Sequence, residues 1–214
     1  MQIISISGLD GSGKSTQAKM LQEFLEAQGK KVQYFHAIEF SLAQKIKSLR
    51  DQHCLICRFT KARDKTEPAT EKSVTKANWL QIQLRKILLL IDVFRFKAFK
   101  KKLAREKCDF LITDRFFYDS IVNISYLSKR NTPSRAEKFL PASDFAFYIK
   151  LQPESIMTRE RVPDQGLDYL KAKKKLYDMY AILWDFNIID GSKDKQTLHE
   201  EIRSIITNSQ QKNQ

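Results

Sequence analysis

Cysteine is scarce in this chain, three residues in 214. Three thiols build no disulfide framework, so the composition does not ask for an oxidising compartment. Six glycines and five prolines exclude a collagen-like or low-complexity chain. Long apolar runs are missing as well. The most notable, residues 87–91, is closely flanked by charge and falls far short of a bilayer span. The opening Met1-Gln2-Ile3-Ile4-Ser5-Ile6-Ser7 has neither the basic flank nor the apolar stretch of a signal peptide. These absences point to a cytoplasmic setting without membrane attachment. Acid is also in deficit: 25 Asp and Glu stand against 38 Lys and Arg, a net charge of +13.

Fourteen Phe, seven Tyr and two Trp exclude wholesale disorder. At roughly 150 residues per domain the length predicts one domain. It is read here as 1–207, followed by a polar tail over 208–214 that is expected to be disordered. The basic balance fits either anionic partners or a Lys-rich solvated surface. Its densest run is Lys97, Lys100, Lys101, Lys102, Arg105 and Lys107, spaced like the polar face of a helix.

Apolar periodicity orders the chain. Strands are predicted over 1–7, 32–35, 110–113, 145–151 and 186–190. Helices are predicted over 14–28, 42–50, 72–105, 117–129, 153–160, 167–184 and 194–207. Residues 52–70 read as irregular. The long helix is apolar on more than one face, which predicts a core crossing or a subunit interface. Strands alternating with helices imply a five-stranded parallel sheet covered on both faces, with ligands at the carboxyl ends of the strands.

The first strand end carries Gly8-Leu9-Asp10-Gly11-Ser12-Gly13-Lys14-Ser15-Thr16, which matches G-x-x-x-x-G-K-[ST]. Glycines let the backbone turn tightly and bring N–H groups to phosphate oxygens, and the following helix adds its positive end. Lys14 is expected to reach the β- and γ-phosphates of a nucleoside triphosphate, and Ser15 to place its hydroxyl on Mg²⁺. After the third strand, Arg115 offers a bidentate fork for an acceptor phosphate. Asp114 is expected to hold Mg²⁺ directly or through water. Arg159 and Arg161 lie in a segment ended by Pro163 and Gly166, read as a lid over about 158–167.

Together these pieces resemble the thymidylate kinase family. The glycine loop, including the acid Asp10, resembles its phosphate loop. Asp114-Arg115-Phe116 with Ser120 resembles its motif after the third strand. Leu151-Gln152-Pro153-Glu154 with Arg159 and Arg161 resembles its fourth strand and lid. Ile188-Ile189-Asp190-Gly191-Ser192 resembles its last strand and adenine-side loop.

The resemblance implies a P-loop NTPase three-layer sandwich and ATP with Mg²⁺. It implies transfer of the γ-phosphate to a nucleoside monophosphate, dTMP above others, and a homodimer. It assigns Gly8, Asp10, Gly11, Ser12, Gly13, Lys14, Ser15, Thr16 and Ser192 to the nucleotide. Lys14, Asp114, Arg115, Arg159 and Arg161 fall to catalysis, with the lid arginines serving because the phosphate loop has none. Asp10, Glu39, Phe40, Ile91, Arg95 and Arg115 fall to the acceptor, Asp10 by contact with a sugar hydroxyl.

The chain departs from the family after the second strand, where His36-Ala37-Ile38-Glu39-Phe40 replaces Arg-Glu-Pro-Gly. It departs again on the long helix, where Ile91, with Arg95 four residues on, stands for a base-stacking Phe; Phe94 or Phe40 are the other rings at hand. Two alternatives stay open. One is a nucleoside kinase using Glu39 as base, since a hydroxyl acceptor benefits from a carboxylate. The other is a nucleotide-dependent nucleic-acid binder using the 97–107 face, which lacks an aromatic-rich RNA-recognition signature. Cys54 and Cys57 form a lone C-x-x-C with neither zinc spacing nor redox context. His36 reads as a structural or surface residue.

Overall fold

Isoleucine-rich β1, Gln2–Gly8, is the central strand of a parallel sheet whose order is β2-β3-β1-β4-β5. The computed structural model describes residues 1–36, 77–129, 137, 139–159 and 163–211, with 210 and 211 described for their backbone alone. The other strands are β2 Val32–His36, β3 Phe110–Asp114, β4 Phe145–Lys150 and β5 Asn187–Asp190. The described helices are α1 Lys14–Ala27, α2 Trp79–Arg105, α3 Phe117–Ser128, α4 Pro153–Met157, α5 Gly166–Leu183 and α6 Lys195–Gln211. The fold is therefore an α/β sandwich of helix, sheet and helix layers.

Side-chain alternation sorts the two layers. Ile4, Ile6, Phe110, Ile112, Phe147 and Ile149 pack under α1 and α6 with Leu21, Leu25, Ile202 and Ile206. Ile3, Leu111 and Tyr148 point the other way, onto a core shared by α2, α3 and α5. Each such aliphatic or aromatic side chain contributes about 1.5–3 kcal/mol by leaving water. With both faces covered, strands like β1 read as apolar runs rather than alternating patterns.

The structure revises several predicted boundaries. β2 runs one residue further, to His36, because that residue pairs in register with Asp114. The helix predicted over 153–160 stops at Met157. The last helix continues to Gln211, so 208–211 are helical rather than part of a disordered tail. Buried Ile202 and Ile206 anchor its final turns, and no glycine or proline follows to stop it. The helix predicted over 42–50, the irregular 52–70 with its Cys pair, and the start of the long helix at 72–76 lie outside the described residues.

α2 crosses the core and also carries an apolar stripe outward. Ile82, Leu89, Val93, Phe96 and Leu103 are buried, whereas Leu80, Leu84, Ile87, Ile91 and Phe94 are 40–71% exposed. The exposed set follows a 4-3-4-3 spacing. Its N-terminus is closed by Gln81, whose side chain accepts the Asn78 N–H at 3.2 Å, and Lys102 and Arg105 meet the negative end of the helix. No helix among the described residues is long and apolar enough to cross a membrane.

Candidate active site

The carboxyl ends of β1, β2 and β3 open onto a cleft of about 580 Å³. The glycine loop forms its floor. Gly8 takes φ +150°, and a Cβ there would lie 2.7 Å from the Ile149 carbonyl oxygen, so only glycine lets the loop leave β1 this close to β4. The loop folds back through the Ser12 N–H, which donates to the Leu9 carbonyl at 3.1 Å. Gly13, in the left-handed region, then turns the chain into α1. Ser15 and Thr16 are exposed at the start of that helix and face the cleft with Gly11 and Gly13.

Lys14 also lines the cleft but is almost fully buried, its ammonium donating to the Leu9 carbonyl. Burial pulls its pKa down to about 8, with Arg115 lowering it further against Asp10, Asp119 and Asp114.

Arg115 is the second cation. It adopts φ 63°, a left-handed conformation that costs an arginine about 1–2 kcal/mol. The neighbours impose it: the Arg115 N–H donates to the Ile6 carbonyl at 3.1 Å. Beyond it Phe116 is locked edge-on against Phe96 and Phe117, at centroid distances of 5.4 and 5.0 Å. Strain held by packing marks a residue whose side chain must point one way. The Arg115 guanidinium points at Asp10 and forms an ion pair with it. Burial pushes the Asp10 carboxyl up, but Arg115, Lys14 and Lys173 outweigh that and hold it below the usual range. Arg115 in turn is held charged by Asp10 and Asp119 despite its burial.

The third cation is Arg159, just beyond α4. Its Nη1 donates to the Gly11 carbonyl at 2.6 Å, which lays the start of the predicted lid across the glycine loop. Pro163, Asp164 and Gln165 complete that wall. Arg161 lies outside the described residues, as do Glu39 and Phe40.

Asp114 is buried. One of its oxygens accepts the Tyr34 hydroxyl at 3.0 Å and lies 3.7 Å from His36 Nε2. The other, Oδ1, has no hydrogen-bond partner among the described residues. A buried carboxylate oxygen left over in this way is a vacancy for a donor or a cation. No group of three or more His, Cys, Asp or Glu forms a protein cage for a metal among the described residues.

Other expected residues fall elsewhere. Ile91 sits in the exposed stripe of α2. Arg95 donates to buried Asp92 on the same helix at 2.6 Å. Neither is among the described residues lining the cleft. The Ser192 hydroxyl and N–H both turn back onto Asp190, at 2.7 and 3.0 Å, closing the turn after β5.

Four residues enter the site that sequence reading did not assign to it. His36 lines the cleft opposite Asp114, and its only signal is the strand register. Asp119 is buried on α3 and accepts from Ser7 Oγ at 2.8 Å, the Phe116 N–H at 2.9 Å and Tyr177 Oη at 2.6 Å. It thus ties β1, the turn after β3 and α5 to one carboxylate. Tyr177 and Lys173 reach this cluster from α5, and nothing local in the sequence distinguishes them.

Comparison with known proteins bears on this arrangement. The protein-family model described as thymidylate kinase matches residues 6–202. The chain belongs to the thymidylate kinase family. A thymidylate kinase of Thermosipho africanus is 27% identical, over 95% of this chain and 96% of its own length. A probable thymidylate kinase of Archaeoglobus fulgidus is 25% identical, with 95% and 94% covered. A thymidylate kinase of Plasmodium falciparum is 24% identical, with 96% and 90% covered. As a thymidylate kinase family member the chain is a phosphotransferase of the nucleoside monophosphate kinase type. The matched range, residues 6–202, contains all the described residues that line the cleft.

Proposed function

We propose that this protein transfers the γ-phosphate of ATP to dTMP, giving dTDP. The observation that carries the reading is the convergence of Lys14, Arg115 and Arg159, from three distant parts of the chain, on one cleft above a glycine loop. Phosphoryl transfer asks a protein for positioning and positive charge rather than covalent chemistry. Lys14 and the backbone N–H groups of 8–16 hold the triphosphate, with the positive end of α1 beneath. Arg159, joined by Arg161, covers the transferred group from the lid side. Arg115 holds the phosphate of the acceptor, and Asp10 its sugar. A monophosphate acceptor is already an anion and needs no general base. Glu39 and Phe40 serve the acceptor. The turn around Ser192 borders the adenine.

Mg²⁺ fits the donors present: the open hydroxyl of Ser15 and the unpartnered Oδ1 of Asp114 are hard oxygen ligands. Ser15 and Asp114 would hold the ion, which would supply positive charge to the phosphates. Asp114 is held ready by Tyr34, which occupies only the opposite carboxylate oxygen.

A coupled assay with ATP, Mg²⁺ and a panel of monophosphates and nucleosides tests the reading. dTMP is expected to be turned over best, and Glu39→Gln to keep substantial activity. Preferred turnover of thymidine or deoxycytidine, abolished by Glu39→Gln, would overturn the monophosphate acceptor and make Glu39 a base.

The outward stripe of α2 supports a homodimer. Leu84, Ile87, Ile91 and Phe94 have the spacing of a helix-pairing seam. Leu84→Asp with Ile87→Asp is expected to convert the dimer to a monomer in sedimentation velocity. A wild-type protein already monomeric at micromolar concentration would exclude this seam.

A further inference from the structure

The outward face of α2 changes chemistry along its length. Up to Phe94 it carries the apolar stripe. From Lys97 on, whose Nζ lies 5.4 Å from the centre of the Phe94 ring, it is basic. Lys97, Lys101 and Arg105 are all exposed and follow one another at four-residue spacing. They form a ladder of cations with steps of about 6 Å along one side of the helix. Lys100, Lys102 and Lys107 flank it and are exposed too. Among the described residues, Lys102 is the one of these six cations with an ion pair, to Glu106 at 3.8 Å.

The fold adds to this run from a distant part of the chain. The Lys31 N–H donates to an Asp109 carboxylate oxygen at 2.8 Å, and the Asp109 N–H donates to the Lys31 carbonyl at 2.8 Å. The start of β2 therefore lies against the end of α2. The Lys31 ammonium donates to the Glu106 carbonyl at 2.6 Å and answers the negative end of the helix. Lys30 stands next to it, exposed. Lys30 and Lys31 thus join the six cations of 97–107. The acids within 97–109 are Glu106 and Asp109, the first paired with Lys102 and the second bonded to the Lys31 N–H.

Place and composition select the partner. β1, β2 and β3 begin at this edge of the sheet and end at the cleft. The length of β3, roughly 17 Å, separates the two. From Lys97 to Lys107 the exposed residues other than the cations are Ala98, Ala104 and Glu106, so no large apolar group stands out to enter a bilayer. Such a surface attracts by charge. A row of cations suits a row of phosphates, and each contact releases counterions condensed on the polymer.

We propose that this edge of the protein is a docking surface for the sugar–phosphate backbone of nucleic acid, separate from the nucleotide cleft. Lys97, Lys101 and Arg105 carry the contact, with Lys30 and Lys107 beside them. The inference does not depend on which acceptor the cleft phosphorylates.

Fluorescence anisotropy of the full chain with a short labelled DNA duplex, and with a labelled RNA strand, tests it. Binding of the duplex is expected to weaken with salt, log K against log salt having a slope of about −0.9 for every phosphate engaged. The triple variant Lys97→Gln, Lys101→Gln, Arg105→Gln is expected to lose about tenfold or more in affinity at low salt and to flatten that slope by about 2–3. Its kcat and both KM values stay at wild type. The control triple Lys19→Gln, Lys175→Gln, Lys195→Gln removes the same charge from exposed positions elsewhere. It is expected to bind within about twofold of wild type, as is the wild type in saturating ATP at matched ionic strength. Equal losses in the two triples would make the attraction a property of the overall charge of +13 and overturn the proposal. Displacement by ATP would overturn it by placing the polymer in the cleft. Absence of binding to either nucleic acid, or preference for phosphatidylglycerol vesicles over both, would overturn nucleic acid as the partner.

Discussion

Lys14→Met is expected to lower kcat/KM by about 10²–10³ while the protein melts at or above the wild-type temperature. The two effects have one cause. Lys14 is buried beside the glycine loop, and burial disfavours its charge enough to bring its pKa to about 8. The empty protein bears that cost, whereas a bound triphosphate turns it into attraction in a site of low dielectric. Methionine has similar length, fills the same space and removes the buried charge. Its loss to stability is the single bond to the Leu9 carbonyl, about 1 kcal/mol. Turnover of ATP within tenfold of wild type would show that the cleft charge comes mainly from Arg115 and the lid. A fall in melting temperature of more than about 5 °C would show Lys14 to be a structural cation instead.

Asp119→Ala is expected to be the most damaging change to the fold outside the aliphatic core, at about 3–5 kcal/mol. The side chain accepts three hydrogen bonds while almost wholly buried. Removing it orphans the Ser7 hydroxyl, the Phe116 N–H and the Tyr177 hydroxyl. It also removes one of the carboxylates that offset Arg115, Lys14 and Lys173. A domain of this size loses about 2–4 °C in melting temperature per kcal/mol, so a drop of roughly 10 °C is expected in a thermal scan. Asp119→Asn keeps two acceptor sites on one oxygen and should recover part of it. The Phe116 N–H bond caps α3 and fixes the turn that aims Arg115. Activity of Asp119→Asn toward dTMP should therefore fall even where the fold survives. A melting temperature within 3 °C of wild type for Asp119→Ala would mean that water replaces the carboxylate.

Much of the site was legible because its chemistry is contiguous. The loop from Gly8 to Thr16 lies between a strand and a helix that are each visible as a local apolar pattern, and the structure places them as expected. Asp114 and Arg115 were found for the same reason, since a buried strand ending in a polar pair advertises its carboxyl end. Ile91 shows the limit. A base contact was implied by the family resemblance, but helical periodicity does not say which of two apolar faces meets the core. Packing of Val93 and Phe96 against β2, α3 and their neighbours turned Ile91 outward and left Arg95 on Asp92.

Local order along this chain, then, was written in residue type and period: five strands, the turn-forming glycines, the cation after the third strand and the arginines near the lid. Partnership was decided by the tertiary structure. Asp10 meets Arg115 across 105 positions, and Tyr177 meets Asp119 across 58. His36 faces Asp114 because parallel pairing sets the register, and one lysine of four on α5 is turned inward. Charges interact according to distance and burial, and both follow from how the helices close over the sheet rather than from the order in which residues are joined.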